Sequence, residues 1–210
     1  LDEIDTEIND LQAAWGWACA QAHIPLLARS LLSLCLYYEM RMRYREGDQA
    51  CQAALSIAPA SPEQASASAV LRSRLLLCRA NFLVLSGDAE SALPLRQAAG
   101  VLLDQLETQG LDVRRPRARY WQAEGDAQPE LKIKLECYQR ASALYQDLGE
   151  DWRQASLLVW VGEFAMRLGD PALALSSQQE ALRLARHLGE PGLLLHCLRQ
   201  STYLYSALRT

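Results

Sequence analysis

The chain repeats one short phrase at a fixed interval, in which an apolar helical stretch ends in Leu-Gly followed by Asp or Glu and a second helical stretch begins. The copies are Leu148-Gly149-Glu150, Leu168-Gly169-Asp170 and Leu188-Gly189-Glu190. Gly149 and Gly189 lie 40 residues apart. Self-similarity with a period of about 20 to 50 residues is typical of proteins that stack one supersecondary unit. The phrase therefore predicts an all-α chain of stacked helical hairpins that offers a binding surface.

Composition supports close-packed helices and argues against several classes of partner. The chain has 210 residues, of which 50% are apolar, and only 2 are Phe. Its formal net charge of −4 argues against direct nucleic-acid binding, which needs a basic field. No apolar run approaches the roughly 20 residues needed to cross a bilayer, and the acidic N-terminus does not resemble a signal peptide. We expect a cytoplasmic segment of a longer protein, with no membrane contact.

Helix start and stop signals divide the chain into hairpins. Gly169 can end one helix in the left-handed conformation, and Asp170 and Pro171 are a good N-cap and first helical residue for the next. The same logic interprets Gly125 as an internal hairpin turn. The expected elements are an N-terminal helix over 2–21, hairpins over about 25–58, 63–108, 112–148 and 150–188, and a final helix over 191–208.

Small residues at fixed positions connect these hairpins to a known family. Gly162, Ala174 and Ala181 fall where the tetratricopeptide repeat (TPR) has its small residues. Ala92 and Ala99 match two of those positions in the hairpin over 63–108. The period of about 40 exceeds the family's 34, so the chain resembles its longer, degenerate class. The resemblance implies a right-handed superhelix with a concave groove. It also implies that Gly47, 12 residues before Pro59, is a close-packing residue inside a helix, with the turn near Met42-Arg43. By TPR register the groove residues would be Arg74, Asn81, Arg115, Arg119, Glu163, Arg167, Arg199 and Tyr203.

The N-terminal segment resembles a more specific group of proteins. The run from Glu7 to Ala18, which contains Ala13-Ala14-Trp15, is similar to a phrase in bacterial signalling ATPases of the STAND type and in LuxR- or SARP-type transcriptional regulators. In those proteins the phrase opens the helical-repeat region that follows the nucleotide-binding part. Trp15 and Trp17 cannot share one helical face. We therefore expect one to pack in the core and the other to face a partner helix or another domain of the parent protein.

Residues that could carry chemistry are sparse. The chain has no Gly-x-x-x-x-Gly-Lys phosphate-binding loop, and its three histidines, His23, His187 and His196, show no metal-ligand spacing. The sequence predicts no catalytic residue, no metal site and no cofactor. Trp121, Trp152 and Trp160 are predicted to pack in the core or between repeats.

Cysteines and arginines each allow two interpretations. The six cysteines lie within apolar helical stretches, which favours reduced, buried thiols over a disulfide framework. Cys35 and Cys51 could touch within one hairpin. The run Arg114-Arg115-Pro116-Arg117-Ala118-Arg119 could form an anion-binding site, or it could be a solvated face in contact with acidic neighbours.

These observations predict a non-catalytic binding or sensing domain. Its partner would be a protein, a peptide or a small-molecule inducer held in the concave groove. We expect it to be the sensor or interaction region of a bacterial signalling ATPase or transcriptional regulator. The alternatives are a standalone TPR-like scaffold and a small-molecule inducer receptor.

Overall fold

The fold is all-α, as predicted. A computed structural model describes the backbone of residues 2–57 and 61–207 and the side chains of residues 8–57, 61 and 64–202. These residues form ten α-helices and no strand. The helices are α1 (Asp2–Ala20), α2 (Ile24–Met40), α3 (Tyr44–Leu55), α4 (Pro62–Leu85), α5 (Ala89–Thr108), α6 (Arg114–Ala127), α7 (Leu131–Asp147), α8 (Asp151–Arg167), α9 (Pro171–Leu188) and α10 (Pro191–Ala207).

The chain is divided into two compact units. The first unit spans Leu1–Val113 and contains α1 to α5, and the second spans Arg114–Thr210 and contains α6 to α10. Each predicted hairpin holds two helices that pack against each other, α2 with α3, α4 with α5, α6 with α7 and α8 with α9. In the second unit α10 packs on both α8 and α9.

Five of the predicted glycine turns are confirmed in the described chain. Gly169 has a φ of +81° after α8, and the carboxylate of Asp170 then accepts a 3.0 Å hydrogen bond from the Leu173 amide at the start of α9. Pro171 is the first residue of α9. Positive φ values also occur at Gly87, Gly110, Gly149 and Gly189. The repeated phrase therefore consists of helix stops and starts.

Gly47 is a close-packing residue, as the sequence predicts. The turn before it centres on Met42, whose φ is +55°, and Gly47 lies buried inside α3. A Cβ atom at this position would lie 2.5 Å from Cζ of Phe82 on α4. The missing side chain therefore lets α3 and α4 approach closely.

Gly125 is not a turn residue, which corrects the prediction. Helix α6 continues to Ala127, so Gly125 is helical and buried. A Cβ atom there would lie 2.7 Å from Cδ2 of Tyr138 on α7, and the Tyr138 hydroxyl donates to the carboxylate of Asp126. Gly125 has the same packing role between α6 and α7 that Gly47 has between α3 and α4. The sequence interpretation failed because a glycine required by close packing and a glycine required by a turn look alike.

Small residues line the tight contact between α8 and α9. A Cβ atom on Gly162 would lie 3.2 Å from the backbone oxygen of Ala174. Ala174 and Ala181 are fully buried, as are Ala92 and Ala99 in the first unit. These positions therefore have the close-packing role that the sequence predicts for them.

Trp15 attaches α1 to the rest of the first unit. Its indole is buried, and its Nε1 donates a 3.0 Å hydrogen bond to the backbone oxygen of Ala50 on α3. Trp17, two residues later, is 55% exposed. The prediction that one of the pair packs in the core is confirmed, and the other lies at the surface.

Three cysteines meet in the core of the first unit. All six cysteines are free. The Cys35 thiol is hydrogen-bonded to Cys51 and to Cys78, which confirms the predicted contact between Cys35 and Cys51. Those hydrogen bonds, together with burial, raise the pKa of Cys35. Thiols that resist ionisation are poor nucleophiles, so this cluster behaves as packing.

Candidate functional site

One face of α8, in the second unit, carries aromatic, polar and charged side chains. Its residues are separated by 4, 4, 3 and 4 positions, which places them on a single helical stripe. We call this stripe the α8 strip, and it consists of Trp152, Ser156, Trp160, Glu163 and Arg167. Elsewhere on α8, Ala155, Val159, Gly162 and Ala165 are buried.

Two tryptophans stand out on this strip. Trp152 is 51% exposed and Trp160 is 39% exposed, so neither packs in the core, which was one of the two placements predicted for them. The buried positions of α8 are filled by other residues, so the two indoles lie on its more exposed side. Trp160 stacks on Phe164 with ring centroids 6.1 Å apart. Trp121 on α6 is partly buried and has the Arg140 guanidinium 4.6 Å from its ring centroid.

Helix α10 contributes polar groups beside the strip. The His196 ring lies 6.2 Å from the Trp160 ring, and Gln200 donates a 3.4 Å hydrogen bond to Glu163. Burial, together with the charge of Arg199, lowers the pKa of His196 below its usual 6.5. The imidazole is therefore mostly neutral at pH 7 and can both donate and accept a hydrogen bond.

Charged side chains lie at both ends of the strip. At the N-terminal end, Glu150 lies between Arg115 Nε at 2.5 Å and Arg153 Nε at 3.1 Å. The first of these contacts is an ion pair without a well-directed hydrogen bond, since Glu150 Oε1 has no hydrogen-bond partner. The carboxylate of the neighbouring Asp151 interacts electrostatically with Arg183 of α9. Two arginines and two carboxylates therefore lie at this end, and their charges balance.

The C-terminal end of the strip has arginines from two helices. Arg167 Nη1 lies 4.0 Å from Glu163 Oε1, a loose pair in which the arginine side chain is 58% exposed. Arg199 on α10 is also exposed. Two guanidinium groups thus accompany one carboxylate, and that carboxylate already accepts a hydrogen bond from Gln200.

Four of the eight residues expected from TPR register lie on or beside the strip. Glu163 and Arg167 belong to it, Arg199 is near its C-terminal end, and Arg115 reaches its N-terminal end through Glu150. Arg119 donates a 3.3 Å hydrogen bond to Gln122 within α6. The side chain of Tyr203 lies outside the described residues.

The other two expected residues lie in the first unit and bridge helices. Arg74 donates a 2.9 Å hydrogen bond to the backbone oxygen of Ala28, and Asn81 donates a 2.7 Å hydrogen bond to Glu39. Both bonds join α4 to α2. A ligand-binding role for Arg74 and Asn81 stays a prediction, but each already has a structural partner.

The arginine run at the start of α6 has local contacts. Arg115 pairs with Glu150, and the Arg117 guanidinium lies 5.7 Å from the Tyr120 ring centroid. These contacts favour the interpretation of the run as a surface in contact with acidic and aromatic neighbours.

Sequence reasoning missed Trp152, Trp160 and His196 as site residues. The signal that could have found the tryptophans is the stripe itself, since both share their face with Ser156, Glu163 and Arg167. His196 had no such signal because its position depends on how α10 packs against α8.

Neither a metal centre nor a family assignment adds to this site. Among the described residues, no group of three or more His, Cys, Asp or Glu side chains could hold a metal ion. No helix in the described part of the chain is long and apolar enough to span a membrane. No protein-family model matches the chain, and no curated protein matches it.

Proposed function

We propose that this chain is a non-catalytic binding domain whose α8 strip engages a protein or peptide partner. The supporting observation is the pair of exposed tryptophans, Trp152 and Trp160, flanked by arginines. Tryptophan and arginine are the residues most enriched at the energetic centres of protein interfaces. The strip offers large apolar anchors together with charged groups that orient a partner.

The wider setting that we propose is a bacterial signalling ATPase or ATP-dependent transcriptional regulator in the cytoplasm. In this proposal the two units belong to a TPR-like superhelix, and the strip lies in its concave groove. A bound partner would shift the parent protein between closed and open states through its different affinity for each. The resemblance of the segment from Glu7 to Ala18 supports this setting. The exposed indole of Trp17 offers a contact for another domain of the parent.

A peptide-display experiment tests the binding role without knowledge of the natural partner. The chain would be panned against a library of random linear peptides, and the selected peptides would then be measured with a Trp152→Ala/Trp160→Ala variant. We expect a loss of at least tenfold in affinity, since truncation of interface tryptophans costs about 2 kcal/mol or more.

The matched control is Leu195→Ala, which truncates a 70% exposed apolar side chain on α10. Circular dichroism checks that both variants stay folded. The proposal is wrong if no peptide is selected, or if the selected peptides bind the tryptophan variant as tightly as the wild type.

A further inference from the structure

Helix α10 has the same place in the repeat as α8, but one of its sides is uncovered. Each helix begins directly after a Gly-Glu copy of the repeated phrase, and the two copies lie 40 residues apart, so the residues of α8 and α10 correspond at that offset. Three positions on one side of α8 are buried or partly buried, namely Leu158, Val159 and Gly162. Their counterparts on α10 are all exposed, namely Leu198, Arg199 and Thr202.

Helix α9 is the element that covers this side of α8. A Cβ atom on Gly162 would lie 3.2 Å from the backbone oxygen of Ala174 on α9. Val159 packs in one cluster with Ala181 and Leu184, which also belong to α9. Among the described helices, α10 packs on α8 and α9 only. The corresponding side of α10 therefore lacks the antiparallel helix that completes the preceding hairpin.

Helix α1 has the opposite deficit, since it exposes the side that α9 buries against α8. Each of the two helices is followed by a residue with positive φ, Ala22 at +48° after α1 and Gly189 at +64° after α9, which aligns their residues. Three aligned positions on one side of α9 are buried, namely Ser177, Ala181 and Leu184. Their counterparts on α1 are all exposed, namely Asp10, Ala14 and Trp17.

These two uncovered sides match each other in size and charge. In the α8–α9 hairpin, Val159 lies in one cluster with Ala181. The same register would place Arg199 and the adjacent Leu198 against Ala14, and a small residue opposite a large one lets two helices interdigitate. Asp10 precedes Ala14 by about one helical turn, which brings its carboxylate within reach of the Arg199 guanidinium. An acid on one side and a base on the other fix the register of such a contact.

Charge also argues against a symmetric contact. Two copies of α10 that paired through this side would bring one Arg199 guanidinium close to the other, and like charges across an interface are unfavourable. The α1 side instead offers a carboxylate, at Asp10, together with the apolar surface of Ala14 and Trp17.

We infer that copies of this chain associate head to tail, with α1 of one copy packed antiparallel on α10 of the next to form a hairpin of the α8–α9 type. The contact joins two different surfaces, so it is heterologous and leaves each copy able to bind a further copy. This inference goes beyond the proposed peptide-binding function, since neither side includes a residue of the α8 strip. Another domain of a parent protein is the competing occupant of the Trp17 side.

The test uses two variants of the whole chain, one for each side. Ala14→Glu places a bulky carboxylate on the α1 side, and Leu198→Glu does the same on the α10 side. Sedimentation equilibrium over a roughly hundredfold range of concentration should show a wild-type mass that rises beyond that of a dimer. Each variant alone should self-associate at least about tenfold more weakly than the wild type.

An equimolar mixture of the two variants is the decisive sample. Ala14→Glu retains an intact α10 side, and Leu198→Glu retains an intact α1 side. One productive contact therefore remains between the two variants, and the mixture should form a 1:1 dimer and nothing larger.

The matched control is Asn9→Glu. Asn9 is exposed on α1, and its counterpart on α9, Ser176, is exposed as well, so this position lies off the contact side. The variant adds the same charge to the same helix and should assemble like the wild type. Circular dichroism checks that all three variants stay folded.

Three results would overturn the inference. A wild-type chain that is monomeric at every concentration means that other partners cover the two sides. A mixture that remains as monomeric as its components rules out the pairing of α1 with α10. A wild-type dimer that does not grow, and that only one of the two variants abolishes, indicates a symmetric contact. None of these results bears on peptide binding through Trp152 and Trp160, which the display experiment tests separately.

Discussion

Substitution of Gly47 by alanine tests how closely α3 and α4 are packed. The added Cβ would lie 2.5 Å from Phe82 Cζ and 2.7 Å from Phe82 Cε1, and the Phe82 side chain is itself fully buried. Overpacking of this kind costs about 1 to 3 kcal/mol. The greater helix propensity of alanine returns about 1 kcal/mol. We therefore expect a net loss of up to about 2 kcal/mol in the free energy of unfolding.

Gly16→Ala supplies the matched control. Gly16 lies inside α1, and a Cβ atom there would have no neighbour within 4 Å. This substitution should show only the gain in helix propensity, a stabilisation of about 0.5 to 1 kcal/mol. The difference between the two variants isolates the steric cost, which urea denaturation followed by circular dichroism can measure.

A double-mutant cycle with Phe82→Leu then identifies the clash. Because leucine lacks the distal ring atoms that the new Cβ would meet, Gly47→Ala should cost less in that background. The reasoning is refuted if Gly47→Ala and Gly16→Ala change the free energy of unfolding equally, or if the cost of Gly47→Ala does not depend on Phe82.

Three further predictions concern contacts of single side chains. Trp15→Phe removes the indole N–H that donates to Ala50 and should cost about 1 to 2 kcal/mol in urea denaturation, whereas Trp17→Phe at the surface should change stability by less than about 0.5 kcal/mol. Asp170→Ala removes the N-cap of α9 and should cost about 1 kcal/mol, with Asp170→Ser retaining most of the stability in thermal denaturation. Because the pKa of His196 is lowered in the folded state, the unfolded chain takes up the proton first, so stability should fall as pH drops from above 6.5 toward the folded pKa. Denaturation at several pH values should show a shallower fall in this window for His196→Gln, and equal slopes would contradict the pKa shift.

Local sequence chemistry predicted most of the secondary structure. Gly169, Asp170 and Pro171 act within a few residues of one another, so their stop-and-start signal is visible in the sequence. Gly47 could be distinguished from a turn because the TPR resemblance puts a small helical residue 12 positions before Pro59. Gly125 had no such marker, and its role depends on Tyr138 of the next helix.

The candidate site was less accessible from sequence than the helices. Register on a single helix indicated Glu163 and Arg167 correctly as neighbours on one face. The exposure of Trp160 depends on the surfaces that α7, α9 and α10 leave uncovered, and hydrophobicity alone predicts burial for a tryptophan. Arg74 and Asn81 show the opposite effect. The TPR register predicts that their polar side chains face a ligand, but in the structure they donate hydrogen bonds to residues of α2.

A buried amide between α9 and α10 has a consequence for how the site is held in place. Gln178 is buried, and its Nε2 donates to the backbone oxygen of Cys197 at 2.6 Å and to Ser201 Oγ at 2.9 Å. These directional bonds fix the axial register of α10. If α10 slipped by one turn, the Gln178 amide would stay buried without these hydrogen bonds, at a cost of about 1 to 3 kcal/mol. His196 and Gln200 directly precede Cys197 and Ser201 on α10. The fixed register therefore keeps His196 level with Trp160 and Gln200 level with Glu163, and each pair is in contact through its side chains.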